Sequence, residues 1–153
     1  MLWLCLRFAQ LPLEVFTRGQ GADGVELQAC IVVQDHRVAL CNDEAEDQGI
    51  KPGMSLATAY ALSDKVRTLE RHGDKEATAL NQLAQWAYRF TPMVVIKQPD
   101  CLLLEVGATL RLFNGLATIA RQISQDMANQ GYSYQTGLAN TPKAAWLLGR
   151  AMP

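Results

Sequence analysis

The chain has 153 residues, enough for one ordinary domain or two small lobes, and its 49% hydrophobic and 19% charged content supplies a core and excludes a disordered polymer. The formal net charge is −1, whereas a self-sufficient nucleic-acid module is usually basic, because neutralising phosphates supplies much of its affinity. Any DNA affinity of this chain alone is therefore expected to be weak, with the basic surface elsewhere.

Leu2–Phe8 is apolar on both parities and predicts a strand buried on both faces. Leu11–Phe16 predicts a short helix with Pro12 in its first turn, and Thr17–Gly24 a glycine-rich loop. Cys30–Val33 and Arg37–Cys41, split by Gln34-Asp35-His36, predict a hairpin. Asn42 caps a helix over Asp43–Gln48, its first turns acidic as the helix dipole favours, and Gly49 ends it. Lys51-Pro52-Gly53 is a turn, Ser55 caps a helix over Leu56–Leu62, and Val66–Glu70 reads as a strand. Asp74 opens a long helix through Phe90 with Leu80, Leu83, Trp86, Ala87 and Phe90 on one face, stopped by Thr91-Pro92. Met93–Lys97 and Cys101–Val106 are strands around Gln98-Pro99-Asp100. After a short segment, Ala108–Phe113, and Asn114-Gly115, a helix covers Leu116–Gln130 and ends at Gly131. Tyr132–Leu138 is the last strand. Thr141, with Pro142 at the first helical position, opens a helix through Arg150.

With the stretch at 24–72 set aside, a β-α-β-β-α-β order remains. The expected fold is α+β: a ferredoxin-like antiparallel sheet with helices on one face and a small lobe inserted. The expected division is 1–23, 24–72 and 73–153, the first and last parts forming one domain.

No apolar run approaches the roughly 18–20 residues of a membrane span. Met1–Leu6 lacks the basic flank and small-residue cleavage site of a signal peptide, so it reads as a buried strand. Cys5, Cys30, Cys41 and Cys101 share no C-x-x-C spacing, and His36 and His72 fall in no ligand pattern. Buried free thiols in a reducing compartment are expected rather than a zinc site.

Four stretches carry a resemblance, in order. They are Leu2-Trp3-Leu4-Cys5-Leu6-Arg7-Phe8; Val38–Glu46 followed by Gly49-Ile50-Lys51-Pro52-Gly53-Met54-Ser55; Pro99-Asp100-Cys101-Leu102-Leu103-Leu104-Glu105-Val106; and Gly137–Ala145. Together they resemble the palm and fingers of the Y-family (translesion, DinB/UmuC-like) DNA polymerases. In that family the first strand ends in a catalytic Asp. The second stretch resembles the fingers segment Asn-Tyr-x-Ala-Arg with G-[VI]-x-x-G-M, the third S-x-D-E-x-Y-L-D, and the fourth G-I-[SA]-x-N-K-x-x-A. The Leu-Trp-Leu-Cys-Leu start, Arg-Phe-Thr-Pro at 89–92 and Leu-Leu-Leu-Glu-Val at 102–106 look most like the catalytically degenerate, ImuB-like subgroup.

The resemblance implies metal ligands at Arg7, Asp100 and Cys101, of which only Asp100 is a carboxylate. Two Mg²⁺ ions need several hard oxygen donors. A permanent guanidinium opposes them by about 4 kcal/mol per unit charge at about 4 Å and an effective dielectric near 20, and by about twice that for a divalent ion. Glu105 lies too far along the strand to substitute. The triphosphate-binding Tyr and Arg of the fingers map to Asp43 and Glu46, and the aromatic gate to Leu11 and Pro12. No metal and no cofactor are expected; Mg²⁺ belongs only to an active enzyme.

The implied function is a non-catalytic scaffold in damage-induced mutagenesis. By resemblance its partners are a sliding clamp, an error-prone replicative-type polymerase and a small SOS accessory protein. DNA contact is expected through thumb and little-finger regions absent from this chain, which reads as a piece of a longer, cytoplasmic, bacterial protein. The alternatives are an active translesion polymerase and a ferredoxin-like protein-binding domain unrelated to DNA. Structural roles compete at several residues. Asp43–Asp47 reads as a solvated helix start against a docking surface, and Arg7 as the partner of Asp100 or Glu105. Gln10-Leu11-Pro12-Leu13 reads as core packing against a clamp-binding peptide, and Trp3, Trp86 and Trp146 as core residues against base-stacking platforms.

Overall fold

The computed structural model describes residues 1–18 and 28–151. In chain order they form β1 (Trp3–Arg7), α1 (Leu11–Thr17), β2 (Cys30–Gln34), β3 (Arg37–Cys41), α2 (Asp43–Asp47), α3 (Leu56–Leu62), β4 (Arg67–Glu70), α4 (Gly73–Ala87), β5 (Val94–Lys97), β6 (Cys101–Glu105), a 3₁₀ turn at Gly107–Thr109, α5 (Leu116–Gln130), β7 (Gln135–Ala139) and α6 (Pro142–Ala151). The glycine-rich loop expected at Thr17–Gly24 lies outside the described residues from residue 19 on. The chain divides into two compact units, Met1–Leu11 with Asp74–Pro153, and Pro12–Gly73.

The first unit is built on a sheet of order β5-β6-β1-β7. Every neighbouring pair is antiparallel. With α4 and α5 as the crossovers this is the ferredoxin-like arrangement that the element order predicts, with α6 added on the face opposite the one expected to carry the helices. β1 is central because it is apolar on both parities. Trp3 and Cys5 pack with Cys101, Leu103 and Ala145, and with partly buried Ala139 and Trp146, so α6 covers this face. On the other face Leu4, Leu6, Leu102 and Leu104 are buried, as are Leu80, Leu83 and Ala87 of α4 and Ile119, Ile123 and Met127 of α5. Trp86 of α4 donates its indole N–H to Asp126 of α5 at 2.9 Å.

The approach of α6 to the sheet rests on Gly137. A Cβ there would collide with the carbonyl oxygen of Ala145 and the amide of Gly149. Both partners are backbone, which cannot swing aside.

The second unit holds a sheet of order β3-β2-β4. β2 pairs antiparallel with β3 and parallel with β4. Asp35 and His36, at φ 52° and 62°, form a two-residue hairpin turn whose paired positive φ values match the strand twist. Ile31, Val38, Ala45, Ile50 and Ala59 make one buried cluster. Leu13, Cys30 and Val32 make a second, which is why α1 from Pro12 onward belongs to this unit. Asn42 and Ser55 cap α2 and α3 as expected, accepting from Ala45 N and Thr58 N.

Two boundaries differ from the sequence reading by more than one residue. α4 stops at Ala87 instead of running to Phe90, and the chain tightens into i→i−3 bonds from Arg89 N to Trp86 O and Phe90 N to Ala87 O. The residue before Pro92 resists the helical region, so the helix unwinds ahead of it. The last strand begins at Gln135, not Tyr132, because Tyr132 turns inward to meet Phe8 edge to face.

Gly137→Ala is expected to lower stability by about 1–3 kcal/mol through overpacking, measured by urea denaturation with the fold checked by circular dichroism. A second test concerns Asp126, whose carboxyl is held below its usual pKa by the Trp86 indole first, then by Gln122 and Arg89. A depressed folded-state pKa contributes stability above the ordinary carboxylate range, which is lost as pH falls through the folded value. Asp126→Ala should therefore cost about 1–3 kcal/mol at neutral pH, and the gap to the native chain should narrow in acid.

Candidate functional site

The site lies where β1 ends. Register sets Arg7 opposite Cys101 of β6 on one side and opposite Gln135 of β7 on the other. Arg7 Nε donates to Asp100 Oδ2 at 3.3 Å, and Arg7 Nη1 to Gln135 Oε1 at 3.3 Å. The Cys101 thiol donates to Asp100 Oδ1 at 3.2 Å. Asp100 is itself fixed by its main chain, whose carbonyl accepts from Phe8 N at 2.7 Å. Both carboxylate oxygens are thus occupied from within the protein.

The ion pair is half-sheltered, with 23% of the Arg7 side chain and 17% of the Asp100 side chain accessible. At such depth the attraction is screened less than on an open surface, and either partner left alone bears the cost of its lost hydration. Cys5 lies under α6 on the same face as Cys101. Neighbouring Cys5 first, then burial and the Asp100 carboxylate, push the Cys101 thiol up, which favours the protonated form that donates to Asp100. Offered to a cation, this corner presents one engaged carboxylate, a protonated thiol, an amide and a guanidinium.

Glu105 has a different task at the other end of β6. Its Oε2 accepts from Leu2 N and Gly107 N, each at 2.8 Å, and its Oε1 from Ala108 N at 3.2 Å. These backbone amides, Leu2 first, hold its carboxyl below the usual range. Of the two partners open to Arg7 in the sequence, the structure selects Asp100. Among the described residues no three or more of His, Cys, Asp and Glu gather where they could hold a metal ion.

The other sequence-derived positions have surroundings of their own. Asp43 and Glu46 sit exposed on α2, where their carboxylates, after burial, help to raise the Cys41 thiol. Leu11 and Pro12 are buried, and Leu11 and Leu13 are core side chains, the role expected of the Gln10–Leu13 stretch. All four cysteines are free and buried. Trp3 is core; Trp86 is tied to Asp126. Trp146 lies between cations, with Lys97 Nζ 5.2 Å and the Arg150 guanidinium 4.9 Å from its ring. Gln135 escaped the sequence reading. Its only signal there is a polar side chain within the expected last strand, which becomes informative once the register places it across from Arg7.

Residues 22–150 match the model of the impB/mucB/samB family. Among curated proteins, Protein ImuB of Caulobacter vibrioides strain NA1000 / CB15N is 32% identical over 105 residues, which are 69% of this chain and 23% of that protein. Protein ImuB of strain ATCC 19089 / CIP 103742 / CB 15 matches to the same extent. The alignment therefore spans less than a quarter of the curated relatives' length. Among solved structures, DinB from Sulfolobus solfataricus superposes with a TM-score of 0.75 at 17% identity, over 100% of this chain and 46% of that one. A post-insertion binary complex of Dbh DNA polymerase gives 0.78 at 19%, over 100% and 46%. At such identities the likeness is one of fold. No helix among the described residues is long and apolar enough to cross a membrane.

Arg7 and Asp100 should behave as one unit. Arg7→Ala and Asp100→Ala are each expected to cost about 1–3 kcal/mol, and the double variant less than their sum. Urea denaturation of the four proteins checks it; strict additivity means that the two residues do not support each other.

Proposed function

The chain belongs to the impB/mucB/samB family, and from that premise we propose that it is a polymerase-like protein of DNA-damage tolerance that performs no nucleotide transfer itself. The observation that carries this reading is the Arg7–Asp100 pair. It occupies the corner where the resemblance to Y-family polymerases puts the acidic ligands of two Mg²⁺ ions. Such ions require several hard oxygen donors held close together. One carboxylate with both oxygens engaged, beside a guanidinium and a protonated thiol, does not fit them. The exposed carboxylates Asp43 and Glu46 stand where the family binds triphosphate, and they repel one. Leu11 and Pro12, both buried, replace its aromatic gate.

In this reading the unit of Met1–Leu11 and Asp74–Pro153 is the palm, and Pro12–Gly73 the fingers. Charge divides unevenly between them. The palm carries eight Lys and Arg against five Asp and Glu, the fingers six against ten. The near-neutral total therefore hides a basic half, and that half is where DNA would be met. The protein acts in the bacterial cytoplasm as an adaptor. It brings damaged DNA together with a sliding clamp, a separate error-prone replicative-type polymerase and a small SOS accessory protein, all partners carried over by resemblance.

The experiment is a Mn²⁺ titration followed by electron paramagnetic resonance, beside primer extension by the whole protein with Mg²⁺ and deoxynucleotides. The native protein is expected to show no saturable Mn²⁺ site at this corner and no extension, while the Arg7→Asp/Cys101→Glu variant gains Mn²⁺ binding. Extension by the native protein that disappears in Asp100→Ala would make it an active polymerase and end the proposal.

A further inference from the structure

We propose that the outer edge of β5, with the concavity at its N-terminal end, docks an extended, acidic peptide segment of a partner protein. β5 is the terminal strand of its sheet. Met93 O accepts from Glu105 N at 3.1 Å. Antiparallel ladders alternate, so Val95 and Lys97 also bond inward to β6, while Val94 and Ile96 turn their N–H and C=O groups outward. A free edge of this kind accepts one more strand.

The edge runs on into a hollow of about 390 Å³ whose lining includes Tyr88, Arg89, Thr91, Pro92, Leu112 and Phe113. Large apolar side chains are exposed along the same stretch. Leu112 is 81% accessible, and Tyr88, Met93, Val95 and Ile96 are also exposed. Folding alone gives no reason to leave so many uncovered along one short strand and its flanking loop.

Charge narrows the occupant. No Asp or Glu occurs between Glu76 and Asp100, or between Glu105 and Asp126, and the same stretches carry Arg89, Lys97, Arg111 and Arg121. None of the hollow's lining residues is acidic. Arg89 already serves Asp126. Arg111 is exposed, and its side chain has no partner among the described residues. A segment with alternating apolar and acidic residues would place its main chain on Val94 and Ile96, an apolar side chain in the hollow and its carboxylates towards the guanidiniums. The exposed aliphatic groups favour such a peptide over nucleic acid, whose phosphates cannot use them or complete a strand edge.

A fluorescein-labelled Glu-Leu-Asp-Phe-Glu-Val peptide, titrated with the chain and followed by anisotropy, tests this. Saturable binding is expected, weakened about tenfold or more by Ile96→Pro, which removes an outward N–H without touching the β6 ladder. Leu112→Asp and Arg111→Glu should weaken it likewise. Should Ile96→Pro fail to fold, Leu112→Asp decides alone, since so exposed a side chain leaves the core intact. No saturation at millimolar peptide, or unchanged binding in Leu112→Asp, overturns the proposal. So does a thymidine oligonucleotide of equal charge that binds more tightly than the peptide and loses affinity only in Arg111→Glu.

Discussion

A guanidinium on a central strand of an antiparallel sheet needs a carboxylate within reach, and much of the chemistry of this corner follows from that need. The Arg7 guanidinium is a fork of donors that needs acceptors, and less than a quarter of its side chain is open to water. Asp100 answers it with one oxygen and takes the Cys101 thiol with the other. The interaction is mutual: without Arg7 the carboxylate loses its ion-pair partner and keeps the Cys101 thiol, and without Asp100 the guanidinium keeps the Gln135 amide. Changing Arg7 alone to an acid would set two carboxylates face to face and leave a less stable corner.

The surrounding fold packs β1 on both faces. Cys5 and Cys101 are small enough to let α6 lie close over the sheet, and Gly137 removes the last side chain that would keep it away. On the opposite face the large aliphatics of β1 and β6 are fully covered. In the proposed reading the polymerase shape is kept while its reacting centre is filled with the protein's own charges.

Much of this was legible in the sequence because it is local. The burial of β1 on both faces, the caps at Asn42 and Ser55, the hairpin at Asp35-His36 and the stop before Pro92 each depend on a few neighbouring residues. What was not legible depends on register. Gln135 becomes a partner of Arg7 only because β7 lies beside β1 with those two residues opposed. The choice between Asp100 and Glu105 likewise follows from which end of β6 faces Arg7. The early end of α4 was foreshadowed by Pro92 but misjudged by three residues, because Phe90 keeps its apolar place in the core after the helix has ended.

The two acids of β6 show why counting carboxylates is a poor guide to a metal site. Five residues apart on an extended strand, Asp100 and Glu105 are separated by about 16 Å. Glu105 is nearly inaccessible, yet it keeps its charge because three backbone amides supply what water would have. Gly107 allows this, since any Cβ there would press on the Glu105 oxygen. That carboxylate ties Leu2 to the turn after β6 and so fixes the start of β1, five positions before Arg7. One acid thus anchors the entry of the strand and the other neutralises its exit. In the proposed reading both are committed to holding β1 in place, and neither is left to share a cation with a substrate.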